Sequence, residues 1–409
     1  MVRLELQTWF QNRIVRRTSS LLVDHKQSID VTEDASDVDD TCDCDNYQEP
    51  VVPLHRKEIQ VGKLLGTGSF SQVHEITNVS LRGKLASFCS QEEQASRQLF
   101  SATFQAKAGS NSEDTGSRYV IKHLNRKLLR RPRQFHHAAQ SLIEEADVMA
   151  KLDHPNILKI RGKALGGASA FAETGRFDGF FIITDLLSGT LKQRIEEWKR
   201  AKEYQSLGSL DKILMKTRHA IGLSSALDYL HDRRIIFRDF KPDNAGFKTD
   251  DTVQLFDFGL SRTLPEPGQA KEEFSGGSND LGLLGEDEVT YLMSLAGTTR
   301  YMASEVLLTR RYNLKADVYS FALVFFEMLA EKTPFEGFGF GCFEEYVCRL
   351  GRRPELSRLG LPSGLEGLLE AAWHQDIAER FSMKDVCETL LLLVHDMEAG
   401  LVEPKEPTN

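Results

Sequence analysis

Three oxygen-bearing side chains and one lysine set the first constraint. Ile235 to Asn244 reads Ile-Ile-Phe-Arg-Asp-Phe-Lys-Pro-Asp-Asn, and Asp257-Phe258-Gly259 follows a short hairpin later. A carboxylate that aligns an attacking hydroxyl, with hard oxygen ligands for Mg²⁺ beside nucleotide phosphates, is the equipment of phosphoryl transfer. Asp239 suits the first task; Asn244 and Asp257 suit the second. Upstream, Gly66-Thr67-Gly68-Ser69-Phe70-Ser71-Gln72-Val73 follows the strand-like Glu58 to Leu65, and Tyr119-Val120-Ile121-Lys122 reads as a strand with one lysine. A glycine turn lets backbone amides approach phosphates, and the lysine supplies a point charge for their α and β oxygens. Taken singly, Lys122 is a solvated charge and Asp239 a turn residue. Their joint order points to the chemistry.

In that order the segments resemble the catalytic domain of eukaryotic-type protein kinases. Lys241, two residues after Asp239, matches the serine/threonine-specific catalytic loop, while Asp317-Val318-Tyr319-Ser320-Phe321 and the Trp373 segment look like the tyrosine-kinase-like branch. The resemblance runs from Lys57 to about His395. It implies an α+β, bilobal fold: a small N-lobe with an antiparallel sheet and one helix, and a larger, mainly helical C-lobe. It also implies ATP and Mg²⁺ as cofactors, protein substrates with serine or threonine acceptors, and an upstream activating kinase as a candidate partner.

Residue by residue, the resemblance makes Asp239, Lys241, Lys122, Glu145 and Thr298 catalytic. Glu145 stands ten residues before Pro155 in the helical Gln140 to Leu152, where the family's helix glutamate pairs with the strand lysine. Thr298 is expected to hydrogen-bond Asp239 and Lys241. Gly66, Gly68, Phe70, Val73, Val120, Lys122, Thr184, Asp185, Leu187 and Gly246 are expected around the nucleotide, with Thr184 as gatekeeper and Asp185 to Leu187 as the hinge. Asn244 and Asp257 are the expected metal ligands. Gly297 to Glu305 resembles the peptide-positioning end of the activation loop, and Arg380 the arginine that pairs with Glu305.

Several positions depart from the pattern. Phe237 stands for the usual histidine, Ser304 for a proline, and Ser71 for a third glycine. Val120 stands where alanine roofs the adenine, and Gly246 where leucine floors it, so a larger roof and a smaller floor are expected to compensate. Ser294, four residues before Thr298, is the expected phosphate acceptor that would pair with Arg238. Phe237 and Ser304 support a rival reading, a pseudokinase scaffold. A small-molecule kinase would share the ATP machinery without needing Gly297 to Glu305.

The chain has 409 residues, beyond the ~250–300 at which a single core stops growing. Residues 1–56 read as an acidic tail with a short amphipathic N-terminal segment, because Asp24 to Glu49 lacks the apolar surface to repay ordering. Residues 57–398 read as the catalytic domain, with an N-lobe at 57–187, an insertion at 78–117 and a C-lobe at 188–398; 399–409 is a C-terminal tail. The insertion is expected as an exposed loop carrying one docked or nascent helix, at the helical-looking Gln91 to Phe100. Trp9-Phe10-Gln11-Asn12-Arg13 resembles a homeodomain recognition helix by chance, since eight preceding residues cannot supply the two supporting helices.

A formal net charge of -9 argues against generic nucleic-acid binding. The basic run Arg126, Lys127, Arg130, Arg131 and Arg133 reads as a solvated face. No apolar run approaches the ~20 residues of a membrane helix. Six cysteines without zinc-site spacing predict reduced thiols and a cytoplasmic location, with nuclear entry open.

Overall fold

The computed structural model describes residues 50–83, 89–108, 119–171, 176–265, 282–283, 289–402 and 405. The N-lobe is built on a six-stranded sheet: β1 (Val52–Leu54), β2 (Ile59–Thr67), β3 (Ser71–Val79), β4 (Tyr119–Leu124), β5 (Ile160–Ala164) and β6 (Phe181–Asp185). Their order is β1-β5-β6-β4-β3-β2. All neighbours are antiparallel except β1 and β5, which run parallel with Val52 opposite Gly162. β1 lies within the region read from sequence as tail. Val52 and Leu54 carry apolar side chains into the core, so the folded domain begins before Lys57. Residues 1–49 of that expected tail lie outside the described residues.

Two helices pack on this sheet. α1 (Gln91–Ala108) is the insertion helix, eight residues longer than expected. It starts at a reciprocal cap, in which Glu93 N–H donates to Ser90 Oγ and Ser90 N–H donates to Glu93 Oε2. Phe100 and Phe104 then pack on Tyr119 of β4, the first tilted at 5.2 Å and the second stacked at 6.1 Å between ring centroids. Arg97, also on α1, donates to Pro53 O of β1 at 2.5 Å and to Glu58 Oε1 at 2.7 Å. Of the two states left open for the insertion helix, docked or nascent, it is docked; residues 84–88 and 109–118 of the insertion fall outside the described set. α2 (Pro132–Met149) opens on a proline, whose missing N–H costs nothing in a first turn. It buries Ala138, Leu142, Glu145, Ala146 and Met149, the stripe expected of a helix against a sheet.

The C-lobe is mainly helical. α3 (Leu191–Arg200) carries a capping box from Thr190 and Gln193. α4 (Ser209–Asp232) packs on α5 (Lys315–Ala330) and α7 (Met383–Glu398), with α6 (Ser363–Ala372) between the latter two. Every residue of α5 from Lys315 to Met328 is buried, as a helix apolar on all sides must be. Short strands β7 (Gly189–Thr190), β8 (Ile235–Ile236), β9 (Ala245–Phe247), β10 (Val253–Leu255) and β11 (Arg262–Thr263) bracket the loops that face the N-lobe. Arg380, fully buried, donates to both oxygens of Glu305 at 2.6 and 3.1 Å.

Candidate active site

The loop after β8 is held from beneath by α5. Asp317 accepts from the N–H groups of Phe237 and Arg238, each at 2.8 Å, and contacts His231 Nε2 at 3.0 Å. Phe237 fits this scaffold as an apolar plug: its ring meets Phe258 edge-on, 5.2 Å between centroids at 84°. Gly297 closes the loop from the other side. Its φ is +111°, and a Cβ there would lie 2.4 Å from Arg238 O, so only glycine fits.

On this scaffold Asp239, Lys241, Asn244 and Thr298 form one hydrogen-bonded set. Thr298 Oγ1 donates to Asp239 Oδ1 at 2.7 Å. Lys241 Nζ donates to Asp239 Oδ2 at 2.6 Å and to Thr298 Oγ1 at 2.9 Å. Asn244 Nδ2 donates to Asp239 O and Oδ2 at 2.9 and 3.1 Å. The backbone of Phe256 is tied to the same loop, its N–H donating to Asn244 O at 2.9 Å.

The second set spans the lobes. Lys122 Nζ of β4 donates to Glu145 Oε1 and Oε2 of α2 at 2.7 and 2.8 Å, and to Asp257 Oδ1 at 2.7 Å. Burial pulls the lysine's proton affinity down, yet the two carboxylates outweigh it and hold the ammonium above the ordinary lysine range. The Lys122 charge holds the Asp257 carboxyl below the usual carboxylate range, against the effect of burial. Asp257 has φ +69°, in the left-handed region. Ser141 Oγ of α2 donates to Gly259 O at 2.9 Å, which fixes this turn to the helix bearing Glu145. Glu144 points away and pairs with Arg262 at 2.9 Å.

The nucleotide-facing residues lie around the same cleft. Gly66 and Gly68 sit in the β2–β3 turn, where Gly68 N–H donates to Ser71 O at 2.9 Å; Phe70 is exposed. Val73 pairs with Lys122, and Val120 with Thr184. Thr184 is buried at the end of β6. Asp185 accepts from Arg161 Nε at 3.0 Å and Nη2 at 2.8 Å, and Ser188 N–H donates to Phe247 O at 2.7 Å, so the segment through Leu187 is fixed at both ends.

Gly246 differs from expectation. A Cβ there would lie 2.8 Å from Gly189 O, 2.9 Å from Leu187 Cδ1 and 3.2 Å from Phe256 Cε1. The space left by a missing leucine is not open to compensate for Val120. It is filled by Leu187 and Phe256 and closed by a backbone carbonyl. Sequence reading missed Phe256 and Arg161, and neither position carried a motif signal. Ser304 also finds polar partners: its Oγ lies 3.3 Å from Gln375 Oε1, which accepts from Arg353 at 2.7 Å.

A Mg²⁺ ion fits the donors that remain. No hydrogen bond within the described residues engages Asp257 Oδ2 or Asn244 Oδ1, and one carboxylate with one amide oxygen suits a hard cation that keeps water and phosphate as its other ligands. Among the described residues no helix is long and apolar enough to cross a membrane.

Comparison with known proteins agrees with this geometry. The family model for the protein kinase domain matches residues 100–392. The serine/threonine-protein kinase STY17 of Arabidopsis thaliana is 26% identical over 290 residues, 71% of this chain and 44% of its own. VIK from the same plant is 29% identical over 259 residues, 61% of this chain and 50% of its own. Human Nek11 is 32% identical over 197 residues, 48% of this chain and 25% of its own. The chain thus spans half or less of the length of these relatives. The matched segment begins inside α1, downstream of the glycine turn. Beyond it the Lys122 set, the Asp239 set and the Glu305–Arg380 pair are all assembled, and the chain belongs to the protein kinase domain family.

Proposed function

We propose that this protein transfers the γ-phosphoryl group of ATP to serine or threonine hydroxyls of protein substrates. The observation that carries the reading is the joint assembly of two sets across one cleft: Lys122 with Glu145 and Asp257, and Asp239 with Lys241, Asn244 and Thr298. In this reading Lys122, fixed by Glu145, faces the α and β phosphate oxygens. Asp239 orients the acceptor hydroxyl and takes its proton, while Lys241 neutralises charge at the transferred group and Thr298 holds both in place. Asn244 and Asp257 hold Mg²⁺, which when bound offsets the negative charge of the phosphates. Gly66, Gly68, Phe70 and Val73 cover the triphosphate, and Val120, Thr184, Asp185, Leu187 and Gly246 surround the base.

Serine/threonine preference is supported by the Lys241–Asp239–Thr298 contacts, and protein substrates by the Gly297 to Glu305 segment. Regulation by an upstream kinase at Ser294 is supported by that residue's exposure. It is also supported by Tyr312, whose hydroxyl donates to Ser294 O at 3.0 Å and is hydrogen-bonded to Arg238. A reducing, cytoplasmic setting is consistent with the free thiols at Cys89, Cys342, Cys348 and Cys387.

The test is transfer from radiolabelled ATP to generic protein substrates, followed by phosphoamino-acid analysis, with Asp239→Asn alongside. Label on serine and threonine that disappears in the variant is expected. Nucleotide binding without transfer by the wild type would replace the reading with a pseudokinase.

A further inference from the structure

We infer that the N-terminal approach to α2 is a docking ridge for the acidic segment of this same chain, residues 30–49. Arg126, Lys127 and Arg130 lie in a 3₁₀ turn, Arg131 is the N-cap of α2, and Arg133 is in its first turn; all five are exposed. Within the described residues Arg126, Lys127, Arg130 and Arg133 form no ion pair. Arg131 reaches only Gln134, at 3.3 Å. Some surface cations are paired, Arg218 with Glu398, Arg262 with Glu144 and Arg349 with Glu344, and others among the described residues, such as Lys151 and Lys332, stand singly without an ion pair. The ridge is set apart by gathering its cations within one short stretch, Arg126 to Arg133.

Its placement makes that gathering costly. A helix N-terminus carries partial positive charge and is stabilised by acids, at about 0.3–1 kcal/mol each. Yet the first turn of α2 holds no acid, and Arg131 makes no side-chain cap. No Asp or Glu occurs in sequence between Tyr119 and Ile143. Cations are gathered where the helix already repels them, which calls for an anion from elsewhere.

The sequence supplies one. Asp30 to Glu49 contains nine Asp and Glu residues and no Lys or Arg, so it accounts for the whole formal charge of -9. The rest of the molecule is formally neutral. The described chain starts immediately after this segment and enters β1, where Pro53 is in register with Lys163. Lys163 in turn lies 3.6 Å from Asp147 on α2. The entry point is therefore beside the C-terminal half of the helix. From Asp147 back to Pro132 the helix spans about 22 Å, and ten extended residues reach about 33 Å. The acids between Asp34 and Asp45 have the length to lie along the ridge. Docking there would lay negative charge on the N-terminus of the helix that positions Glu145, independently of phosphoryl transfer.

Zero-length carbodiimide coupling of the full-length protein tests this, because Lys127 is the ridge's one amine. The expected product is an intramolecular bond between Lys127 and a carboxylate of residues 30–49. Mass spectrometry of a mixture of heavy- and light-isotope protein would identify it as intramolecular. It should be lost at about 0.5 M salt, where charge interactions across the surface are screened. It should also be lost when Arg126→Gln, Arg130→Gln, Arg131→Gln and Arg133→Gln are combined with Lys127 retained. The salt arm needs no variant, so a misfolded mutant cannot decide the result. Coupling of Lys127 only between chains, coupling indifferent to salt and to the four substitutions, or no coupling to residues 30–49 while other lysines react, would each overturn the inference. Binding of a nucleic acid or a foreign acidic protein at the ridge in place of the segment would overturn it as well.

Discussion

Two of the buried cation–carboxylate clusters of the N-lobe, around Glu58 and around Lys122, differ in what they leave unspent. Around Glu58 every oxygen is engaged: Oε1 accepts from Arg97 at 2.7 Å and from Arg82 N–H at 2.8 Å, and Oε2 from His55 N–H at 2.9 Å. The Glu58 and Arg97 side chains are 0% and 3% exposed. Around Lys122 the closure is incomplete. Glu145 is 4% exposed, but Asp257 is 44% exposed and keeps one oxygen without a hydrogen bond among the described residues. A saturated cluster holds elements together, whereas a cluster with spare valence facing a cleft can act on something else. The same charges, a few strands apart, make a rivet and a working group.

The largest expected effect breaks the rivet. Arg97→Leu leaves Glu58 buried without its partner, a loss of about 3–5 kcal/mol. Thermal melting should drop strongly while turnover per folded molecule, measured at low temperature, stays near wild type. Lost turnover with unchanged melting would reverse the comparison. Next, Asp257→Ala should lower turnover on the order of 10²-fold or more, with a smaller fall in melting than Arg97→Leu because Lys122 keeps Glu145 as partner. The ionisation of Asp257 contributes stability that is present above the unfolded carboxyl value of ~3.9 and lost as pH falls through the lower folded one. Activity assays from pH 6 to 8 should therefore show no titration of this group.

A third measurement sharpens the view of the cleft. Gly246→Ala drives a Cβ against Gly189 O, and overpacking of this kind costs about 1–3 kcal/mol. Enlarging the roof with Val120→Ala should not restore nucleotide affinity in the double variant, because the obstruction is backbone. Recovery on isothermal titration would return Gly246 to the role of a compensating floor. The smallest effect concerns the stacked pair His74 and His123, with ring centroids 5.0 Å apart. Burial lowers the pKa of both. The unfolded chain therefore takes up protons first, and stability falls as pH drops below ~6.5 toward the folded values. Replacing both with glutamine should flatten the decline in melting temperature between pH 7 and 5.

Legibility divided along the same line. The residues singled out for chemistry, from Lys122 to Thr298, stand together because phosphate, metal and hydroxyl dictate residue type and order in the chain, which a single sequence displays. Glu58 and Arg97 displayed nothing comparable. A buried structural pair needs only complementary charge and shape, and one member lies in a segment whose polar, serine-rich composition reads as loop. β1 was hidden for a related reason: three residues beside an acidic stretch have no periodicity to detect, and their strand partner lies far away in sequence. Phe256 escaped because it fills a gap made by an absent side chain, and a gap is visible only in three dimensions.

The parallel pairing of β1 with β5 also bears on how the molecule is made. Val52 leaves the ribosome about 110 residues before its partner Gly162, an interval on the order of ten seconds at ordinary elongation rates. Arg97 of α1, which donates to Pro53 O in the finished lobe, is made about 65 residues before Gly162, so one contact of β1 comes from a segment available before its strand partner.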